Sequence, residues 1–231
     1  MAILECRGLS KRFGSVAALA DTSLAIEPGR IVGLLGPNGS GKTTLLKLAC
    51  GLLTPTGGQV LVNGMTPCPE SKAAVSYLPE RNALPLWMRI SALVDFYGDF
   101  YTDFRPDKAM EMLRTLKIDP SRPLRTLSKG NREKVQLILT MSRAAKLYLL
   151  DEPIGGVDPA TRDYILQTII GNYSEDAAVV ISTHLIADVE PVLDEAVFLK
   201  DGSIYLHDSA DALREAHGKS VDALFREVFK C

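Results

Sequence analysis

Residues 36–43 constrain the fold of this chain more than any other segment, because they match the pattern G-x-x-x-x-G-K-[ST] at every fixed position. They read Gly-Pro-Asn-Gly-Ser-Gly-Lys-Thr, they follow an apolar run at residues 31–35, and a helical pattern over residues 44–53 comes after them. A strand, a glycine-rich loop and a helix in this order place a bound phosphate at the N-terminus of the helix. The segment therefore predicts a nucleoside triphosphate site in an α/β protein, and its flanks disfavour an accidental glycine turn.

The residue types in this loop suit phosphate and Mg²⁺. Glycines at three positions allow a tight turn that brings backbone N–H groups against phosphate oxygens. Lys42 is expected to neutralise the β- and γ-phosphates as a catalytic group, and the Thr43 hydroxyl is expected to ligate Mg²⁺. The predicted nucleotide-binding set of the loop is Gly36, Pro37, Asn38, Gly39, Ser40, Gly41, Lys42, Thr43 and Thr44.

A second apolar run, residues 147–150, leads into Asp151 and Glu152. Asp151 is the predicted carboxylate ligand of Mg²⁺. Glu152 is placed to meet the water that attacks the γ-phosphate, either as general base or by orienting it. The alternative is an ordinary acidic pair at the end of a strand, but Pro153 and the phosphate loop upstream favour catalysis.

Residues 127–131 narrow the prediction, because Leu-Ser-Lys-Gly-Asn resembles a variant of the LSGGQ signature of the ATP-binding cassette family. The remaining family motifs follow in the family's order, over roughly residues 3–208. On this resemblance the chain is identified as a member of that family, similar to the ATP-binding subunits of bacterial export-type transporters. The matching residues are Phe13 with Val16 (the aromatic loop that stacks on adenine), Tyr77-Leu78-Pro79-Glu80 (the Q-loop), Val157-Asp158 (the D-loop) and Ser182-Thr183-His184 (the switch histidine).

The resemblance implies an active site shared between two cassettes that face head to tail, with each ATP between the phosphate loop of one and the signature of the other. Ser128 and the Gly130 N–H are then expected at the γ-phosphate. His184 is expected to hold the attacking water with Glu152 as a second catalytic residue, and Asp158 to couple one site to the other. The signature residues expected to bind ATP are Leu127, Ser128, Lys129 and Gly130.

Two motifs depart from the common family pattern. Glu80 stands where glutamine is usual, and a carboxylate can still offer oxygen to Mg²⁺, so Glu80 is predicted as a metal ligand beside Thr43 and Asp151. Lys129 and Asn131 replace glycine and glutamine in the signature. Lys129 is expected either to strengthen contact with the triphosphate or, more simply, to point into solvent. We expect ATPase activity to survive these changes.

The composition is that of an ordinary folded chain: 231 residues, 46% hydrophobic, with a formal net charge of −2. A protein with this net charge lacks the excess of basic residues that nucleic-acid binding usually requires, so no nucleic-acid partner is expected. No run approaches the ~20 apolar residues of a membrane span, and attachment to a membrane is therefore expected through partner subunits. The four cysteines, which show neither a CxxC pair nor a metal-ligand spacing and so indicate a reducing cytoplasm, are Cys6, Cys50, Cys68 and Cys231.

The pattern predicts a single cassette domain over residues 1–231. Residues 1–80 and 146–208 are expected to form a P-loop, RecA-like parallel α/β core with an antiparallel β layer. Residues 81–145 are expected to form an inserted helical subdomain, and residues 209–231 a short helical tail. Helices are predicted at residues 108–116, 132–145, 160–170 and 187–193, and the antiparallel layer that the resemblance implies is expected from residues 3–6, 23–26, 195–199 and 204–206.

The apolar residues 83–88 follow the Q-loop and include the only tryptophan, Trp87. In the family this region lines the groove that receives a coupling helix from a membrane subunit. The resemblance therefore implies a docking surface at Trp87. Packing inside the helical subdomain is an equal alternative.

The predicted function is that of an ATP-hydrolysing transporter subunit with ATP and Mg²⁺ as its ligands. It is expected to pair with a second ATP-binding subunit, identical or related, and to drive transport through separate membrane subunits at the cytoplasmic face. One alternative is a soluble cassette protein acting on ribosomes or DNA, although such relatives usually carry two cassettes or a long coiled coil. Another is an ATP-gated interaction module with weak hydrolysis, which Glu80 and the altered signature suggest and which Glu152 and His184 oppose.

Overall fold

The computed structural model describes residues 1–229; Lys230 and Cys231, which are the end of the predicted tail and the fourth cysteine, lie outside the described residues. The strands are β1 (Leu4–Phe13), β2 (Val16–Ile26), β3 (Ile31–Leu35), β4 (Gly57–Val62), β5 (Val75–Leu78), β6 (Leu147–Asp151), β7 (Ala178–Thr183), β8 (Glu195–Lys200) and β9 (Ser203–Ser209). The helices are α1 (Lys42–Ala49), α2 (Pro69–Ala73), α3 (Ile90–Phe100), α4 (Pro106–Thr115), α5 (Lys129–Met141), α6 (Pro159–Ile170), α7 (Ile186–Val189), α8 (Ala210–His217) and α9 (Val221–Phe229).

A six-stranded sheet with the order β5-β6-β7-β3-β8-β9 forms the centre of the molecule. The strands from β5 to β8 run parallel, and β9 pairs antiparallel with β8 at the edge. All five residues of β3 are buried, as expected of a parallel strand covered on both faces. Ile31 and Leu35 pack into one hydrophobic cluster, whereas Val32 and Leu34 pack into a second cluster on the other face. The carboxyl ends of β3, β5, β6 and β7 therefore carry their loops at one edge of the sheet, where ligands bind in such folds.

A separate three-stranded antiparallel sheet has the order β2-β1-β4. The prediction was correct for residues 3–6 and 23–26, which pair as Leu4 with Ile26 and Cys6 with Leu24. It was wrong for residues 195–199 and 204–206, because β8 and β9 belong to the six-stranded sheet. The physical reason is that Ala196–Leu199 are buried throughout, so β8 needs cover on both faces and pairs parallel with β3. Strand β4, which fills the third position of the antiparallel sheet, was not predicted.

Several helices begin and end at residues other than those predicted. Helix α1 ends at Ala49 rather than near residue 53, because Gly51 turns the chain with φ of +64°. Helix α5 begins at Lys129 rather than residue 132, since the Ser128 hydroxyl accepts the N–H of Asn131 as an N-cap. It ends at Met141 rather than residue 145. The predicted helix at residues 187–193 is the short α7 followed by a 3₁₀ turn, Glu190–Val192.

The region between the Q-loop and β6 has a hydrophobic cluster of its own. Its buried members run from Ile90 to Leu139 and come from α3, α4, α5 and the loops between them. On its other face α5 contributes Leu137 and Met141 to the cluster under the main sheet. The predicted boundaries of the units of the chain stay predictions. Within residues 1–229, none of the helices is both long and apolar enough to cross a bilayer.

Candidate nucleotide site at the carboxyl edge of the sheet

The phosphate loop joins β3 to α1 and is packed too closely for side chains at two of its glycines. Gly41 has φ of +109°, and a Cβ there would lie 2.5 Å from the carbonyl oxygen of Ala18. At Gly36 a Cβ would lie 2.5 Å from the carbonyl oxygen of Leu199 and equally close to Ser40 Oγ. The loop is thereby held against β2 and β8, and its backbone N–H groups remain accessible.

A pocket of about 290 Å³ lies over this loop. Lys42 is buried and donates hydrogen bonds from Nζ to the carbonyl oxygens of Gly36 at 2.7 Å and Pro37 at 3.2 Å. Ser40 is also buried, beneath Gly36, and its Oγ has no hydrogen-bond partner among the described residues. The pocket brings most of the predicted loop residues together with Glu80 and Glu152; its lining is Ala18, Asn38, Gly39, Gly41, Lys42, Thr43, Thr44, Glu80 and Glu152.

Oxygen atoms suited to Mg²⁺ converge at the end of β6. Asp151 is 1% exposed, and its Oδ1 accepts the hydroxyls of Thr43 at 3.0 Å and Ser182 at 2.7 Å. The Tyr77 hydroxyl donates to Asp151 Oδ2 at 3.4 Å. Burial and the neighbouring Asp151 raise the pKa of Tyr77, so the phenol stays a donor. A carboxylate and a threonine hydroxyl beside the phosphate pocket fit the hard-oxygen preference of Mg²⁺, and Glu80 lines the same pocket.

Glu152 follows Asp151 in a strained backbone conformation that aims it at His184. Its φ is +48°, unusual for a residue with a side chain, and its N–H donates to the carbonyl oxygen of Ser182 at 3.0 Å. The Glu152 carboxylate oxygens lie 3.2 and 3.1 Å from His184 Nδ1. Lys42 Nζ lies 3.5 Å from Glu152 Oε1. The three predicted catalytic residues therefore meet at one point.

A cleft of about 630 Å³ separates this group from the signature segment. Glu80 lies between the two sides, and Asn82 and Gln136 link the Q-loop segment to α5 through hydrogen bonds to the carbonyl oxygens of Arg132 and Pro79. We call Asn38, Glu152 and His184 the catalytic wall, and Lys129, Arg132 and Glu133 the signature wall.

The signature residues make local contacts on their own side of the cleft. Ser128 caps α5, and Leu127 is buried in the helical cluster. The Lys129 side chain is 73% exposed, and its Nζ lies 3.7 Å from Glu133 Oε1. Lys129 also lines the cleft, where a Cβ built at Gly156 would lie 3.3 Å from its Nζ, and both predicted roles of Lys129 stay predictions. Gly130 has open space around it, with no atom within 4 Å of a Cβ built there.

Two further predicted residues lie at the rim of the site. Phe13 and Val16 are exposed side by side between β1 and β2, as an aromatic platform for a base requires, and Lys11 Nζ lies 5.1 Å from the centre of the Phe13 ring. Asp158 caps α6: its carboxylate accepts the hydroxyl of Thr161 at 2.8 Å and its N–H at 3.0 Å. These two hydrogen bonds lower the pKa of Asp158.

The structure answers the open question about Trp87. Its side chain is 73% exposed, so packing in the interior of the helical region is wrong. Leu86 beside it is exposed too, and Phe96 and Phe100 are exposed on α3, stacked with ring centres 6.1 Å apart. The exposed aromatic pair of α3 was not predicted, because the helical pattern of residues 90–100 does not show which face is covered.

Two functional hydroxyls also escaped the sequence analysis as individual groups. Ser182 and Tyr77 each stand in a recognised motif, but only the fold shows that both donate to Asp151. Ala18 was missed as well, although it lines the phosphate pocket from β2. The only indication of Ala18 in the sequence is that it lies two residues after Val16.

The parallel sheet, the phosphate loop and the carboxylate pair define a P-loop nucleoside triphosphatase, and the signature segment across the cleft is typical of cassette ATPases. A family model described as ABC transporter matches residues 19–155. The chain belongs to the ABC transporter family. It is an ATP-binding subunit with ATPase activity.

Relatives and solved structures agree with this assignment. ABC transporter ATP-binding protein YtrB of Bacillus subtilis (strain 168) is 34% identical over 98% of this chain and 78% of its own length. Lipopolysaccharide export system ATP-binding protein LptB of Escherichia coli (strain K12) is 28% identical over 96% of this chain and 97% of its own. An ATP-binding subunit of an ABC transporter superposes with a TM-score of 0.88 at 26% identity, covering 98% of this chain and 99% of that one.

A dimeric cassette, MJ0796, solved in a post-hydrolysis state with ADP and Pi, has a TM-score of 0.78 at 21% identity and covers 89% of this chain and 98% of its own. At that identity the likeness shows the fold alone. Because the relatives named above are transporter subunits, the comparisons support transport and give no support to action on ribosomes or DNA.

Proposed function

We propose that this chain hydrolyses Mg-ATP in a head-to-tail pair with a second ATP-binding subunit and thereby drives export-type transport through separate membrane subunits. The observation that carries the proposal is the meeting of Lys42, Glu152 and His184 on one side of a wide cleft, with the signature segment on the other. An ATP bound over the phosphate loop would present its γ-phosphate to this cleft.

The phosphate pocket supports the binding half of the proposal. Lys42 now donates to two loop carbonyl oxygens, so its ammonium group lies over the loop, where phosphate oxygens can replace those carbonyl partners. Thr43, Asp151 and Glu80 are the residues that would hold Mg²⁺. When bound, Mg²⁺ supplies charge neutralisation to the β- and γ-phosphate oxygens.

The contact between Glu152 and His184 supports the hydrolytic half. A carboxylate 3.1 Å from an imidazole nitrogen can accept a proton from an attacking water while the imidazole orients that water or the γ-phosphate. Ser182 fixes the Glu152 backbone through its carbonyl oxygen, and its hydroxyl reaches Asp151, so the metal ligand and the base are held by one residue. Glu152 is thus the proposed base and His184 its partner.

The signature wall supports the need for a second subunit. Within residues 1–229, Arg132 Nε and Glu133 Oε2 are buried atoms without a hydrogen-bond partner, and burial raises the pKa of Glu133. Exposed Ser128 and open Gly130 lie beside them at the start of α5. The Arg132 guanidinium, the Ser128 hydroxyl and the N–H groups at the start of α5 are donors, and they are expected to gain phosphate oxygens as partners when an ATP on the other subunit approaches. Glu133 Oε2 is an acceptor and needs a donor from the second subunit instead.

The turnover of Mg-ATP per subunit, measured across a range of protein concentrations, tests the shared site. We expect specific activity to rise as subunits pair. Constant activity in a protein that sizing shows to be monomeric would mean that one chain holds a complete site, and the proposal would be wrong. The proposed pairing is with a second copy or a related cassette.

The exposed apolar surface of Leu86, Trp87, Phe96 and Phe100 is the proposed docking site for the membrane subunits, which would place the chain at the cytoplasmic face of the membrane. Replacing Trp87 with Ala should weaken association with these subunits and leave ATP binding unchanged. Phe13→Ala is the matched control, because this exposed aromatic residue lies at the nucleotide site and should show the opposite pattern. Loss of both properties in Trp87→Ala would contradict the docking role.

A further inference from the structure

The backbone that carries His184 is positioned by tertiary contacts rather than by local helix stability. Helix α7 starts two residues after His184 and has four residues, far fewer than the ~12 that an isolated helix needs. Ile186 and Val189 are buried in the cluster under the main sheet. The chain then turns through Glu190, which is also buried.

Glu190 ties α7 to the two C-terminal helices. Its Oε1 accepts the N–H of Val221 at 2.8 Å, and its Oε2 accepts the N–H of Asp222 at 3.0 Å. These are the first two residues of α9, whose N–H groups have no partner within the helix. Arg214 of α8 donates to Glu190 Oε1 at 3.2 Å and to the Glu190 carbonyl oxygen at 3.2 Å. One buried carboxylate therefore joins three helices.

The charge on Glu190 is matched to this position. Burial raises the pKa of the carboxyl, but the two backbone N–H groups of α9 and the Arg214 guanidinium together lower it below its ordinary value. The group is therefore ionised at neutral pH, where a negative charge at the N-terminus of α9 is favourable.

Helix α9 reaches back to the nucleotide site. A cleft of about 340 Å³ has Asp222, Phe225 and Arg226 on the α9 side. The opposite side consists of Pro37 and Asn38 from the phosphate loop together with His184 and Ile186. Helix α9 also packs on β8 through Phe225. The ring of Phe225 meets the ring of Phe198 edge to face, with an angle of 80° between the ring planes and 5.6 Å between the ring centres. Across this cleft from α9 lie the two loops that are proposed to meet the γ-phosphate.

We propose that Glu190 is a positioning residue for hydrolysis: by capping α9 it holds this helix in place across the cleft from the phosphate loop and fixes the segment that carries His184. The inference rests on the proposed role of His184. On this proposal the C-terminal helices α8 and α9 serve to position the switch histidine, His184, rather than to bind the nucleotide.

Turnover of the full chain tests this role through a split between kcat and KM. We expect Glu190→Ala to lower kcat roughly tenfold, as a small misplacement of a catalytic group does, with the KM for ATP changed by less than about twofold. Glu190→Gln keeps an acceptor oxygen and should retain more activity than Glu190→Ala. Asp103→Ala is the matched control, because it removes the ion pair with buried Arg143 beside the start of β5, away from the nucleotide site.

The outcomes separate positioning from stability. An equal fall of kcat in Asp103→Ala, or a fall that follows only the folded fraction, would overturn the proposal. So would a parallel rise in KM for ATP. His184→Ala provides the independent check on the underlying role: if that variant keeps full turnover, the function assigned to His184 fails whatever Glu190 does.

Imidazole NMR resonances give a readout that does not depend on turnover. The described residues contain three histidines, and His207, which contacts Glu195 on β8, serves as the internal reference. We expect Glu190→Ala to shift the resonances of His184 and leave those of His207 in place. Unmoved His184 resonances in a folded Glu190→Ala variant would contradict the proposal.

Discussion

The two walls of the cleft differ in how far their polar groups are satisfied within the chain. Next to the catalytic wall, Asp151 accepts three hydroxyl groups, and Glu152 faces both Lys42 and His184. On the signature wall, buried Arg132 Nε and Glu133 Oε2 lack partners among the described residues, as does Ser40 Oγ under the phosphate loop. The catalytic wall is assembled by the fold, whereas under the proposed function the signature wall is completed only by a ligand or a second chain.

This difference follows from where each wall lies in the fold. The catalytic residues lie at the carboxyl ends of neighbouring parallel strands, so sheet pairing alone brings β3, β6 and β7 together. The signature wall belongs to α5, which packs on the helical cluster and presents its N-terminus to the cleft. Under the proposed function such a site would be regulated by pairing, because half of its contacts would come from the second subunit.

The largest effect is expected from Glu152→Gln. This change keeps the shape of the side chain but removes the proton acceptor, so turnover should fall by at least ~10²-fold. ATP binding should persist, because the phosphate loop is unchanged. Sizing in Mg-ATP should then show a long-lived dimer. Unchanged turnover would remove the assigned role of Glu152, and loss of ATP binding would indicate a structural defect.

Ser128→Ala should abolish most turnover, because it damages the signature segment and leaves the catalytic wall intact. A lone subunit should still bind ATP through its intact loop. The sharper test mixes Ser128→Ala with Glu152→Gln before ATP is added. Random pairing should restore about a quarter of wild-type turnover, because half of the dimers are mixed and each holds one intact composite site. Two copies of either variant alone should stay inactive, and absence of restoration in a mixture that dimerises would contradict the shared site.

A smaller effect, on stability, is expected at Asp158, which caps α6. Its pKa is lowered by the two hydrogen bonds from Thr161, so its stabilising contribution is present at pH 7 and is lost as pH falls below its ordinary value of 3.8 and through its native pKa. Urea unfolding at pH 7 and near pH 3 should show that Asp158→Ala is destabilised relative to wild type by more at the higher pH than at the lower. Asp158→Asn keeps a capping oxygen but no charge, so it should lie between wild type and Asp158→Ala at pH 7 and close to wild type only near pH 3.

The smallest effect is expected from Lys129→Met. The side chain is largely exposed and pairs loosely with Glu133 at 3.7 Å, so the free energy of unfolding should change by less than ~1 kcal/mol. Turnover should change little. Lys134→Met is the control on the same helix, since Lys134 lies over Tyr164. A large loss of turnover in Lys129→Met alone would show that this lysine contacts the triphosphate.

Much of the site was predictable because most of the residues expected to act on ATP belong to short contiguous motifs. Residues 36–43 match a phosphate-binding pattern, which predicts the ligand. Asp151 and Glu152 come at the end of an apolar run, which is typical of a buried parallel strand. The contact of Glu190 with α9 was not predictable. It joins residues that are 31 positions apart, and no local period records which carboxylate caps which helix.

The sequence by itself determined the class of fold and the order of the motifs, and it predicted the residues that would meet phosphate and metal. The tertiary structure alone decided that β8 and β9 complete the main sheet, that Trp87 is exposed, and that the signature wall faces the catalytic wall across an open cleft. The physical reason is that motifs and periodicity reflect local backbone geometry and local chemistry. Strand order, burial and the distance between walls are set instead by competition among long-range contacts across the whole chain.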